Sequence, residues 1–228
     1  MAPDEPDASS CIRQLLEALR RKSADLAADL HPAWLEQGLH RLGLPRDQAM
    51  ARSPRCAGAL AAFFRVEWPP LDRFALPAHR LALLPRHDML RVLGAIELHT
   101  QRDRVRLSIG GGLRAMLIER LGEGAYRSLV DSPSLRRSAS GPLSAAELDA
   151  DRLAWRGLDR LASCGAWRSR RLLRRARLAL EPQGKPACGV PEGATPPEIL
   201  HHLSSYFPEH AWLFGSPMDL ALSASTTA

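Results

Sequence analysis

Lysine is nearly missing from this chain of 228 residues: two lysines stand against 29 arginines. With alanine, leucine and proline abundant, that ratio reads as the codon usage of a GC-rich genome rather than as selection for guanidinium chemistry. Arginine content alone therefore does not announce a polyanionic ligand. Cysteine is scarce as well, and the four present, Cys11, Cys56, Cys164 and Cys188, are scattered without a C-x-x-C pair or zinc-like spacing. They read as reduced cytosolic thiols. Long apolar runs are lacking: the strongest, residues 56–64, has nine residues and is rich in alanine, whereas a spanning helix needs about 20. No membrane crossing is expected. The first ten residues are acidic and contain proline, with no basic stretch leading into an apolar one. No signal peptide is expected, and Cys11 is not read as a lipoprotein cysteine. Alternating β-patterns and internal repeats are also missing, which leaves an all-α fold without a substantial sheet.

What is present bounds the rest. A compact chain of this length buries roughly 70% of its unfolded surface, enough for a real core. A net charge of +6 and an isoelectric point near 9.8 suit nucleic acid, an anionic membrane surface or an acidic protein partner, and charge does not choose among them. Ser9 or Ser10 can cap a first helix carrying Ile12, Leu15, Leu16, Leu19 and Leu26, ending near Leu30. Pro32 then fits the first turn of a short helix with Trp34, Leu35, Leu39 and Leu42, which makes a helical hairpin. Trp34 is expected to anchor that hairpin on the helix containing Met89 and Ile96. Residues 57–66 read as a buried helix stopped by Trp68-Pro69-Pro70. Pro85 suits the start of a helix whose Met89, Leu90, Val92, Leu93 and Ile96 cover so broad an arc that it should be central and mostly enclosed.

Gly110-Gly111-Gly112 reads as a joint between two helices, and Gly122 as the stop of the second. The Ser144-Ala145-Ala146-Glu147 capping box is expected to open a helix with Leu148, Trp155, Leu158 and Leu161, which Gly165 ends. A further helix runs to about Leu180, followed by a Pro/Gly-rich connection over 181–197 and a short helical pattern over 198–212. The expected organisation is a disordered 1–10, a compact multi-helix core over 11–131, a linker at 132–143, a helical C-terminal region over 144–215 packed on the core, and a disordered tail at 216–228.

Catalytic and metal-binding patterns are not found. His79, His87, Asp88, Glu97, His99 and Asp103 are the densest group of titratable residues, but Glu97 and His99 diverge by about 200° on a helix. His99 and Asp103 can meet, yet no third ligand supports them, so surface or capping roles are expected. His201, His202 and His210 form a looser group of the same kind. The triple glycine lacks the lysine and the preceding strand of a phosphate loop, and no serine sits in a nucleophile elbow. No enzyme, cofactor or metal is expected.

One charge feature rises above the background. Arg168, Arg170, Arg171, Arg174, Arg175 and Arg177 are six arginines within ten residues, with no acid among them. On a helix, Leu172, Leu173, Ala176 and Leu180 occupy an arc of about 100° and the arginines most of the remainder. This predicts a helix docked on its leucine face that presents a basic ridge, which reads first as a solvated face of an arginine-biased chain, then as a contact for an acidic protein partner, and last as one for nucleic acid or anionic lipid. Trp155 continues an apolar stripe and reads as core, whereas Trp167 falls on the arginine side, where it can stack on a guanidinium.

The segment Arg80-Leu81-Ala82-Leu83-Leu84-Pro85-Arg86, the amphipathic stretch reaching Gly94-Ala95, the later Leu121-Gly122-Glu123-Gly124-Ala125-Tyr126 and the upstream His31-Pro32-Ala33-Trp34-Leu35 together resemble the SctK family of type III secretion proteins, including the hrp-operon equivalents. The resemblance covers residues 30–130 and weakens after Pro133. It implies a non-enzymatic cytosolic adaptor at the inner-membrane face, attached through protein contacts only. Such an adaptor links an SctD-like ring protein to SctQ-like pods of the sorting platform, and indirectly to SctL-like and SctN-like proteins. The alternative is a basic helical nucleic-acid-binding regulator, although no helix-turn-helix spacing is seen and specific nucleic-acid binding is not expected. A type III chaperone, usually small, acidic and α/β, fits less well.

Overall fold

The structure, a computed structural model, describes residues 8–45, 53–108, 110–133, 141–182 and 198–214. The expectations for residues 1–7, for most of the linker (134–140), for most of the Pro/Gly-rich connection (183–197) and for the tail lie outside the described residues. Among the described residues all regular structure is helical, with thirteen α-helices, five short 3-10 turns and no strand. The chain is all-α. It divides into two compact units, one made of Met1–Arg86, Trp167–Gln183 and Trp212–Ala228, the other of His87–Ala166 and Gly184–Ala211.

The first unit begins with α1 (Ala8–Ala24) and α2 (Leu26–Asp29). They are separate helices rather than one, because Asp25 breaks the run and caps α2 by accepting the Ala28 N–H at 3.2 Å. His31 caps α3 (Pro32–Arg41) in turn, its Nδ1 accepting the Ala33 N–H at 3.1 Å, and Pro32 fills the first helical position. Ser53 caps α4 (Pro54–Phe63). Helices α3 and α4 close on each other at Gly38, where a Cβ would lie 2.7 Å from Leu60 Cδ2. Leu26, Ala27, Leu30, Leu39, Cys56, Ala57, Leu60 and Leu178 form the core of this region. Trp34 packs against that core, its ring edge-on to Phe64 with centroids 6.2 Å apart. That is the anchor of the hairpin; the partner expected from sequence, residues 89–96, belongs to the second unit.

A 3-10 turn at Leu71–Ala75, α5 (Pro77–Arg80) and a second turn at Leu81–Leu83 complete the middle of the unit. They are tied by Arg80, which is wholly buried. Its guanidinium donates to the carbonyls of Phe74 at 2.7 Å, Ala75 at 2.9 Å and Leu213 at 3.2 Å. These irregular segments leave carbonyls that no helix satisfies, and five fixed donors answer them where an ammonium has three.

In the second unit α6 (Arg86–His99) is central, as its apolar breadth predicts: residues 92–99 are all buried. The remaining helices are α7 (Arg102–Leu107), α8 (Gly111–Leu121), α9 (Glu123–Asp131), α10 (Ala150–Ser163) and α12 (Leu203–Tyr206). Helix α10 crosses α6 at Gly157, where a Cβ would stand 2.1 Å from the Leu93 carbonyl oxygen. The Ser144–Glu147 capping box is present, but it opens a 3-10 turn (Ala145–Leu148), and α10 starts later under its own cap, Asp149. Helix α7 uses three arginines as Arg80 is used. Arg102 donates to Pro133 O, Arg104 to Gly141 O at 3.2 Å and Pro142 O at 3.2 Å, and Arg106 to Val130 O at 2.8 Å. Whatever the origin of the arginine excess, Arg80, Arg102, Arg104 and Arg106 use it as multi-donor ties to backbone carbonyls.

Candidate functional site

The arginine-rich segment forms α11 (Arg170–Leu178) in the first unit, capped by Ser169, whose Oγ accepts the Leu172 N–H at 3.4 Å. The approach to this helix is fixed by His79. Its Nε2 accepts the backbone N–H groups of Arg168 at 2.9 Å and Ser169 at 3.1 Å, while Nδ1 donates to the Arg73 carbonyl. One nitrogen accepts and the other donates, so the imidazole is neutral. Burial, with the charges of Arg73 and Arg168 acting in the same direction, holds its pKa below the usual histidine range. Of the surface or capping role expected for His79 the surface part is corrected, since it is 2% exposed, while the N–H groups it accepts do lie at the entry to α11.

Leu172, Ala176 and Leu180 are buried, as the helical wheel requires. Arg175 is buried with them and leaves the ridge. Its guanidinium donates to Lys22 O at 2.7 Å and Asp29 Oδ2 at 3.2 Å, and lies 4.0 Å from the centre of the Trp68 ring. Asp29 also accepts from Lys22 Nζ at 2.5 Å. Arg175 borders the apolar arc of the helix, and a planar, weakly hydrated cation tolerates that position once a carboxylate, a carbonyl and a ring face receive it. Trp167, expected on the arginine side, is buried as well, its ring 6.2 Å from that of His79. Trp155 is core, as expected.

Arg168, Arg170, Arg171, Arg174 and Arg177 remain exposed. At the start of α11 Arg168, Arg170 and Arg171 meet the Pro69-Pro70 segment. A cleft of about 400 Å³ opens there, lined by Pro69, Pro70, Arg73, Arg168, Ser169, Arg170 and Arg171. Arg171 reaches an exposed Glu67 at 3.4 Å. Guanidinium groups around a cleft can bind carboxylates or phosphates through charge-assisted hydrogen bonds. Nothing in the lining offers acid-base or nucleophilic chemistry, because the Ser169 hydroxyl is a helix cap and both nitrogens of His79 behind it are engaged.

The other titratable group divides: Glu97 and His99 are internal, Asp88 and Asp103 half-buried in ion pairs, and His87 exposed. Glu97 is buried and accepts from Arg160 Nε at 3.1 Å and Nη2 at 3.0 Å, and from Gln101 at 2.6 Å. His99 is buried beside Arg102, and burial first, then that charge, lowers its pKa to about 4. Asp88 lies 3.5 Å from both Arg91 and His210, and Asp103 pairs with Arg106 at 3.0 Å. His87, His201 and His202 are exposed. Among the described residues no three His, Cys, Asp or Glu side chains are placed to hold a metal ion, and no helix is long and apolar enough to cross a membrane. Cys56 and Cys164 are free thiols, and burial raises the pKa of Cys56.

Compared with known protein families, residues 11–209 match HrpB4, described as a bacterial type III secretion protein. No curated protein matches the chain. No solved structure matches it either.

Proposed function

The chain belongs to the HrpB4 family of bacterial type III secretion proteins, and from that premise we propose that it is a non-enzymatic adaptor of the secretion machinery. In this reading it joins the cytosolic part of an SctD-like inner-membrane ring protein to an SctQ-like pod protein, and through it to SctL-like and SctN-like proteins. It works at the cytosolic face of the inner membrane, held by protein contacts.

The family match over 11–209 carries the reading. The SctK resemblance over residues 30–130 gives it the adaptor role, and two further features favour it. The buried histidines and acids described above, His79, Glu97, His99 and Asp29, hold segments together rather than converging on an open pocket. An exposed row of arginines also suits an acidic protein surface, where opposite charge guides encounter and register. The test is co-expression of the tagged chain with its SctQ-like and SctD-like neighbours. Recovery of both on the tagged chain, each also binding singly, is the expected result; recovery of neither overturns the adaptor reading.

A further inference from the structure

We propose that the cleft between Pro69-Pro70 and the start of α11 binds a short acidic peptide segment of a protein partner. The identity of that partner rests on the adaptor reading; the binding itself does not.

Four guanidinium groups, those of Arg73, Arg168, Arg170 and Arg171, surround the cleft. Two carboxylates lie close, Glu67 at 3.4 Å from Arg171 and Asp72 at 3.9 Å from Arg73. Among the described residues, the guanidinium groups of Arg73, Arg170 and Arg171 thus outnumber the two carboxylates beside them. The Arg171–Glu67 pair is weak, with both side chains more than half exposed, and exposed pairs of this kind contribute little. Glu67 thus marks where an incoming carboxylate can sit and be exchanged. A volume of about 400 Å³ takes a few side chains of an extended segment, not a folded surface.

The walls are held in advance of any ligand. His79 clamps the backbone of Arg168 and Ser169, and Arg175 fastens α11 to Trp68 and Asp29 from beneath. A site ordered beforehand loses less freedom on binding. The same contacts argue against a nucleic-acid strand, which needs aromatic faces for its bases to stack on. Trp167 is buried, and Trp68 has its ring against Arg175 and its Nε1–H on Ser23 Oγ at 2.7 Å. Proline and arginine are what the cleft offers instead.

The test uses the purified full chain and a fluorescein-labelled hexaglutamate peptide, read by anisotropy at fixed moderate salt. Saturable binding is expected, weakened by about tenfold or more in the triple variant Arg73→Ala/Arg170→Ala/Arg171→Ala and by less than about threefold in the off-cleft variant Arg174→Ala/Arg177→Ala. Glu67→Gln, which removes the competing carboxylate, should tighten it. Equal losses in the two arginine variants, no saturable binding, or tighter binding of a single-stranded oligonucleotide than of the peptide would overturn the proposal. Melting midpoints of all three variants equal to that of the unaltered chain confirm that the comparison is between folded proteins. A chain that binds the peptide but recovers no secretion partner retires the adaptor reading and leaves the cleft standing.

Discussion

Asp29 receives two cations in the first unit, Lys22 and Arg175, both less than a tenth exposed. Burying charge is costly, and a pair in the interior holds only while its hydrogen bonds are met. Removing the carboxylate leaves Arg175 beneath α11 with its charge uncompensated, its pKa already drawn down by burial. Asp29→Ala should therefore cost about 3–5 kcal/mol, whereas Arg174→Ala, on the exposed side of the same helix, should change stability by no more than about 0.5 kcal/mol. Urea unfolding of the two variants checks this, and equal midpoints would show that Arg175 is not held as described. Sequence periodicity separated Leu172 and Ala176 from the arginines but could not separate Arg175 from Arg174, because what admits Arg175 to the interior is contributed by Trp68 and Asp29. Arg80 had a readable signal, a lone charge beside the apolar stretch Leu81 to Leu84; its carbonyl partners, brought together only by folding, had none.

Helices here start and stop where short-range rules place them. Pro32 and Pro54 occupy first turns, Ser53 and Ser169 cap α4 and α11, and Gly122 ends α8 at φ +84° beside Arg91. Pro32 and Gly122 were legible because each acts over a few positions, whereas the helix expected over 57–66 starts earlier, at Pro54 under the Ser53 cap. The Ser144 capping box was legible too, but Asp149 offers a second cap five residues on, and α10 starts from that one. Not legible were the histidines that join elements, His79 between the 3-10 turn at Leu71–Ala75 and α11, and His99 between α6 and Arg102. Both are lowered in pKa in the folded protein, His99 to about 4. The unfolded chain titrates its histidines near pH 6.5, so between about 6.5 and 4 it binds more protons than the folded chain and stability falls as pH falls. Glu147, held at about 2 chiefly by Arg104, continues the loss in the same direction below about pH 4.5. The urea midpoint should drop steadily from pH 7 to pH 4, and His99→Gln should flatten that slope. A midpoint independent of pH across this range would contradict the burial of both imidazoles.

At the scale of the whole molecule there are two compact units, each closed by arginine-to-carbonyl contacts, with an exposed arginine face on the first. Its helical class was readable from apolar spacing and the lack of β-alternation, its secretion family from ordered short motifs over residues 30–130, and the family match extends to residue 209. The interleaving of units was not readable, because it depends on segments 80 or more residues apart joining one core, as Leu178 joins Leu30 and Leu60. The measurement that bears most directly on the adaptor claim is type III export from a strain with a clean in-frame deletion of this gene, with the SctD-like ring followed in the same cells. Export should be abolished while the ring persists, and should return with a plasmid copy of the chain. Normal export from the deletion strain would contradict the account.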